Sequence, residues 1–237
     1  MTTKLLLIAA LASAAWAQPA PVLVELFTSE GCSSCPPADA LLENLDRTQP
    51  VAGARIIVLS EHVDYWDHLG WKDPYSSHAF TARQQAYVLR FSHDPYTPQM
   101  VVNGQAEFVG SDREAAVAAI SASSRQPILG LRITAIEGKA TVRVEADPLP
   151  SGKTRKAEIY VARAIESAGS DVTRGENRGH KLHHVAIVTE LRQVGKVDQR
   201  EGFRSEIPAP AAGSRLIAFI QEPGPGRILG AAEMAAQ

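Results

Sequence analysis

The chain predicts an α/β domain of order β-α-β-insert-α-β-β-α followed by an all-β, sandwich-like domain. Three observations carry this. Residues 22–28, "VLVELFT", and 55–60, "RIIVLS", are continuous apolar runs of strand length with a helical repeat between them. Asn103-Gly104 joins two further apolar runs, the strongest short hairpin signal in a sequence. Beyond residue 126 the apolar residues fall two apart, as half-buried strands require.

The elements follow in order. "VLVELFT" enters "SEGCSSCPP", which holds both cysteines of the chain, Cys32 and Cys35. In "PPADALLENLDRT" Ala38, Leu41, Leu42 and Leu45 recur at helical spacing, with Pro36 and Pro37 in the first turn, where a missing N–H is tolerated. "RIIVLS" reads as a central, fully covered strand. The aromatic and charged insert "EHVDYWDHLGWKDPYSS" comes next, then a helix over "HAFTARQQAYVLRF" with Phe80, Gln84, Tyr87 and Phe91 on one face. After the hairpin, Ser111 with Glu114 reads as a capping box that opens a helix through "DREAAVAAISA". "SASSRQP" closes this domain, giving residues 18–125, and residues 126–237 form the β-rich part. Its strands are marked by Leu131/Ile133, Val142/Val144, Ile159/Val161, Val185/Ile187 and Leu216/Ala218/Ile220.

Residues 1–17 read as a signal peptide. Lys4 supplies the positive start, Leu5 to Ala14 the apolar stretch, and Ala15-Trp16-Ala17 the small-x-small cleavage site. The apolar run is shorter than the ~20 residues that span a bilayer. The mature chain is therefore expected in the periplasm or secreted, with no integral membrane segment. The net charge is −2 and there is no basic run, so nothing points to nucleic acid.

A C-x-x-C pair supports a staple, a metal clip or a reactive dithiol. Export permits a lasting disulfide. At this spacing, however, the closed loop is so short that a bridge stabilises little, which favours chemistry. A thiol reacts as its thiolate, which the unpaired N–H groups and positive end of a helix favour. Cys32, just ahead of the helix, is expected to be the accessible, acidic thiol and Cys35 the covered one. Glu30 opposes the anion, and no Lys, Arg or His lies within the loop.

A C-x-x-C at a strand-to-helix turn, then Thr97-Pro98 ahead of a strand and an Asn-Gly hairpin, resembles the thioredoxin fold. The resemblance implies a cis proline against the dithiol, Cys32 as nucleophile, Cys35 as resolving thiol and Thr97-Pro98 as the substrate-docking loop. The sequence departs from thioredoxin in its Ser-Ser dipeptide, in Gly31 rather than an aromatic before Cys32, and in the spacing of Glu25. "ELFTSEGCSSCPPADALL", "HVDYWDHLGWKDPYSS", "YTPQMVVNG" and "NRGHKLHHVAIV" together resemble the secreted domain-of-unknown-function family 1223. That resemblance implies a thioredoxin-like domain with a β-rich extension.

Around this core lie weaker constellations. His62, Asp64, Trp66 and Trp71 could wall a cleft above Cys32, because ligands gather at the carboxyl ends of strands. His62, Asp64, Asp67 and His68 match no firm metal template, and Met100 reads as core rather than as a copper ligand; no cofactor is expected. "RGENRGHKLHH" offers Arg174, Arg178, His180, His183 and His184 in a long polar loop. The expected function is an exported thiol–disulfide oxidoreductase acting on exported protein thiols or small thiols. The competing class is a thioredoxin-like binding protein, for a peptide or copper, with an idle disulfide.

Overall fold

The computed structural model describes residues 18–235, so the expected signal peptide lies outside the described residues. The order begins β1 (Ala20–Thr28), α1 (Pro36–Thr48), β2 (Ala54–His62), α2 (His78–Phe91), β3 (Gln99–Val102), β4 (Ala106–Val109) and α3 (Arg113–Ser123). The insert between β2 and α2 carries one short 3-10 turn, Asp67–Leu69. Strands β5 (Leu131–Ala135), β6 (Thr141–Ala146), β7 (Lys156–Asp171), β8 (Lys181–Asp198), β9 (Phe203–Pro208), β10 (Ser214–Gln221) and β11 (Ile228–Ala235) complete the chain.

Local chemistry explains most of these elements. Helix α1 buries Ala38, Leu41, Leu42 and Leu45, and Gln49 stops it in the left-handed region at φ 47°. Asn103 and Gly104 take φ 48° and 64°, as the tight turn between β3 and β4 demands. Helix α3 is capped by Asp112, not by Ser111 as expected: the Asp112 carboxylate accepts from the Ala115 N–H at 2.9 Å. Ser111 stands one residue too early to reach the first free N–H groups of this helix.

The sheets cross the boundary expected near residue 125. One mixed sheet has the order β11-β10-β7-β8-β2-β1-β3-β4. Strands β1 and β2 are parallel, and β8 joins β2 in parallel through Ser60 and Ile187. Four strands of the β-rich part thus extend the first sheet rather than building a separate sandwich. The sandwich-like feature is confined to β5, β6 and β9, a small antiparallel sheet. Its Leu131, Val142, Val144 and Ala146 pack on Ile159, Val161, Leu216 and Ala218 of the large sheet. No helix among the described residues is long and apolar enough to cross a membrane.

The shared sheet leads to the site. The loop joining β7 to β8, residues 172–180, rises at the end of the sheet where β1 delivers the cysteine turn, and it contacts that turn.

Candidate functional site

Cys32 and Cys35 form a disulfide with a Cα–Cα distance of 5.4 Å. Cys35 is the N-cap of α1, followed by the two prolines. Those prolines change the electrostatics expected of a helix start. Pro36 and Pro37 have no N–H, and the next two donors, Ala38 and Asp39, both bond the Cys35 carbonyl at 2.8 and 3.1 Å. The macrodipole remains, but none of these N–H groups is free to face a sulfur.

Both cysteines are 0% exposed, which corrects the expectation that Cys32 lies open. The turn is fastened from far along the chain. Asn177 donates from Nδ2 to the carbonyls of Glu30 and Cys32, each at 2.9 Å. Glu176 accepts from the Ser33 N–H at 3.1 Å, and the Ser33 side chain together with this N–H holds its carboxyl below the usual range. Only Ser33 and Ser34 of the turn are exposed.

The Thr97–Pro98 bond is cis. The Ser34 hydroxyl links this loop to the bridge, 3.4 Å from Cys32 Sγ and donating to the Thr97 carbonyl at 3.3 Å. Trp66 Nε1 donates to Thr97 Oγ1 at 2.8 Å, and Trp71 Nε1 donates to Glu30 Oε2 at 2.7 Å. Both tryptophans of the insert therefore border the cysteine turn. The other members of the insert separate. Asp64 accepts from the Thr81 hydroxyl at the start of α2, and Asp67 accepts from the Ser76 hydroxyl. Met100 is fully buried in the main core.

Behind the turn lies a cluster that no motif announced. Glu30, buried at 0% exposure, donates its N–H to Asp73 Oδ2 at 2.8 Å and sets Oε1 3.4 Å from His184 Nε2. His184 Nδ1 is 3.7 Å from Asp39 Oδ1, one helical turn beyond Cys35. Burial alone would push the His184 pKa down, but the carboxylates of Asp39 and Glu30 outweigh it and raise it to about 10. His62 lies edge-on to His184, with ring centroids 4.7 Å apart, and its Nδ1 is 2.7 Å from Asp73 Oδ2. Burial pushes the Asp73 carboxyl up, yet the His62 hydrogen bond and charge, with the Glu30 and Tyr75 N–H groups, hold it below the usual range. Glu30, expected to oppose a thiolate, shares with Asp39 a single cation delivered by β8. Glu25, by contrast, points to α2, where it accepts from the Tyr87 hydroxyl and from Arg83.

Sequence reasoning reached Cys32, Cys35, Thr97, Pro98, Trp66 and Trp71. It placed His62 on a cleft wall, whereas His62 is buried behind the turn. It did not find Asn177, Glu176, Asp73 or the role of Asp39. The usable signal was His184, the fourth residue of β8 and directly ahead of the apolar run 185–188, a buried ionisable group that needs a partner.

The His184 cluster carries a pH prediction. A histidine whose pKa is raised on folding adds stability that is complete below its unfolded value near ~6.5. That contribution is lost as the pH rises through about 10. Thermal stability is therefore expected to fall between pH 7 and 10 by more than that of His184→Gln, which lacks this component of the slope. Parallel curves for the two proteins would contradict the assignment.

Comparison with known proteins accords with this architecture. A crystal structure of protein AGR_C_4864 from Agrobacterium tumefaciens is similar, with a TM-score of 0.74 at 27% identity, over 93% of this chain and 97% of that one. No curated protein matches the chain. The family described as "Protein of unknown function (DUF1223)" matches residues 23–221. With most of its length matched, this chain belongs to that family.

Proposed function

We propose that this chain is an exported, thioredoxin-like thiol–disulfide oxidoreductase using Cys32 and Cys35. The reading rests above all on one juxtaposition: a single hydroxyl, Ser34 Oγ, lies within 3.4 Å of both Cys32 Sγ and the Thr97 carbonyl. In the oxidised state that hydroxyl donates to the Thr97 carbonyl; in the reduced state it can turn and donate to the Cys32 thiolate. His184, protonated between Glu30 and Asp39, offsets part of the negative charge that these carboxylates place behind the helix start. The Ser34 hydroxyl and the helix macrodipole favour the thiolate. Export is read from residues 1–17, and it fits a pair whose working states include a disulfide.

In exchange, a partner thiolate attacks Cys32 Sγ and the Cys32–Cys35 bond breaks. The electron pair leaves on Cys35, which takes up a proton, and a mixed disulfide with the partner remains. A second thiol of the partner then attacks that bond, so the partner leaves oxidised and Cys32 leaves reduced. The reverse sequence oxidises this protein and reduces a partner disulfide. Titration of the Cys32–Cys35 couple against glutathione tests the reading.

A second reading has one observation in its favour. Both cysteines are fully covered, which suits an idle bridge in a non-enzymatic binding protein. An idle bridge does not equilibrate with glutathione at accessible ratios.

A further inference from the structure

Resting on the exchange reading, we propose that residues 172–180 form a displaceable cover occupying the docking edge of the cysteine turn. The partner that replaces it is an extended polypeptide carrying the reacting cysteine.

The geometry begins with access. Exchange needs an attacking sulfur in line with the S–S bond, and two cysteines at 0% exposure offer no such approach. Three backbone groups of the turn are engaged by one loop: the carbonyls of Glu30 and Cys32 by the Asn177 amide, and the Ser33 N–H by the Glu176 carboxylate. An amide N–H donor and a carboxylate acceptor are the kinds of group that an extended peptide backbone supplies through its own N–H and C=O. The loop thus holds the places of a partner strand. A small thiol has no such groups and cannot compensate the turn for their loss; a polypeptide can.

The loop is also built to move without dragging β7 and β8. Its base is closed by Val172 and His180, whose backbones bond at 3.0 Å, and by Gly179 N–H to the Val172 carbonyl at 2.8 Å. Between these anchors Glu176 and Asn177 follow directly on Gly175, at φ 73°, where other residues are strained. Rotation there can lift the two side chains while the base stays paired.

The test uses the mature chain with its disulfide intact. Rate constants are measured for reduction by dithiothreitol, by 2-mercaptoethanol and by an unstructured peptide with one central cysteine. Asn177→Ala removes two bonds and is expected to raise the dithiothreitol rate by about tenfold, since each factor of ten equals ~1.4 kcal/mol. Glu176→Ala, an exposed position that leaves folding intact, is expected to raise it by about threefold. Corrected for thiol pKa, the wild-type protein reacts faster with the peptide than with 2-mercaptoethanol, and this preference shrinks in both variants. Unchanged dithiothreitol rates in folded variants, or no peptide preference in the wild type, would overturn the proposal. If Asn177→Ala does not fold, Glu176→Ala decides alone. Faster reduction of the variants by dithiothreitol, with the wild-type preference for the peptide thiol intact but no turnover of peptide disulfides by the reduced protein, supports the cover. That outcome removes the oxidoreductase reading instead.

Discussion

Arg83→Met is expected to destabilise the protein by ~3–5 kcal/mol, the cost of leaving a buried charge without its partner. Arg83 sits on α2 with its Nε 2.5 Å from Glu25 Oε1 and 3.6 Å from Glu61 Oε1, and both carboxylates are fully buried. Its guanidinium also lies 5.2 Å from the Phe219 ring centre and 5.7 Å from that of Tyr160, so it ties α2 to the strands of the second half. Burial pushes the Glu61 carboxyl well above its usual range; Arg83 pulls it down and Glu25 pushes it further up. Removing the cation leaves two acids facing each other in the interior. The loss is measured by urea unfolding at pH 7. It shrinks as the pH falls through the raised range of Glu61, because protonation then relieves the repulsion. Adding Glu61→Gln to Arg83→Met recovers part of the loss. A loss under ~1 kcal/mol, typical of a surface pair, would contradict a buried network.

Cys35→Ser, produced as an exported chain, is expected to accumulate mixed disulfides with other exported proteins, whereas Cys32→Ser accumulates none. The asymmetry no longer rests on exposure, since both cysteines are buried in the oxidised protein. It rests on what surrounds each of them. Cys32 touches the Ser34 hydroxyl and adjoins the exposed Ser33 and Ser34. Cys35 caps α1, its carbonyl tied to Ala38 and Asp39 and its next neighbours two prolines. Lifting the loop of residues 172–180 frees the Glu30 carbonyl and the Ser33 N–H, on the Cys32 side of the turn; it frees no group of Cys35. Both variants are expected to fold, because so short a bridged loop adds little stability. Non-reducing gels with mass spectrometry of the adducts read the outcome. Equal trapping by the two variants would reverse or abolish the assigned roles.

The first half of the chain was legible because its signals are local. The apolar runs 22–28 and 55–60, the leucine spacing of α1 and the Asn103-Gly104 turn each specify an element without reference to anything distant. The second half misled because pairing of β8 with β2 is a non-local choice that no turn announces. A signal was nevertheless present. "VAIV", 185–188, and "LIAFI", 216–220, are continuous apolar runs like "RIIVLS", and both are buried along their length. Such runs mark strands covered on both faces, not the half-exposed strands that alternation suggests. The site divides the same way. Cys32, Cys35 and Thr97-Pro98 announce themselves by type and spacing. Asn177 and His184 act on the cysteine turn only because the shared sheet carries the β7–β8 loop across it. Position in the chain gave no hint of that.

The reduction potential of Cys32–Cys35, titrated against mixtures of reduced and oxidised glutathione or dithiothreitol, bears most directly on whether the pair works. An exchanging pair gives a reversible two-electron transition between about −120 and −270 mV, the span of known dithiol oxidoreductases. A bridge that stays oxidised to below about −300 mV, in the range of structural disulfides, would contradict redox function for this protein.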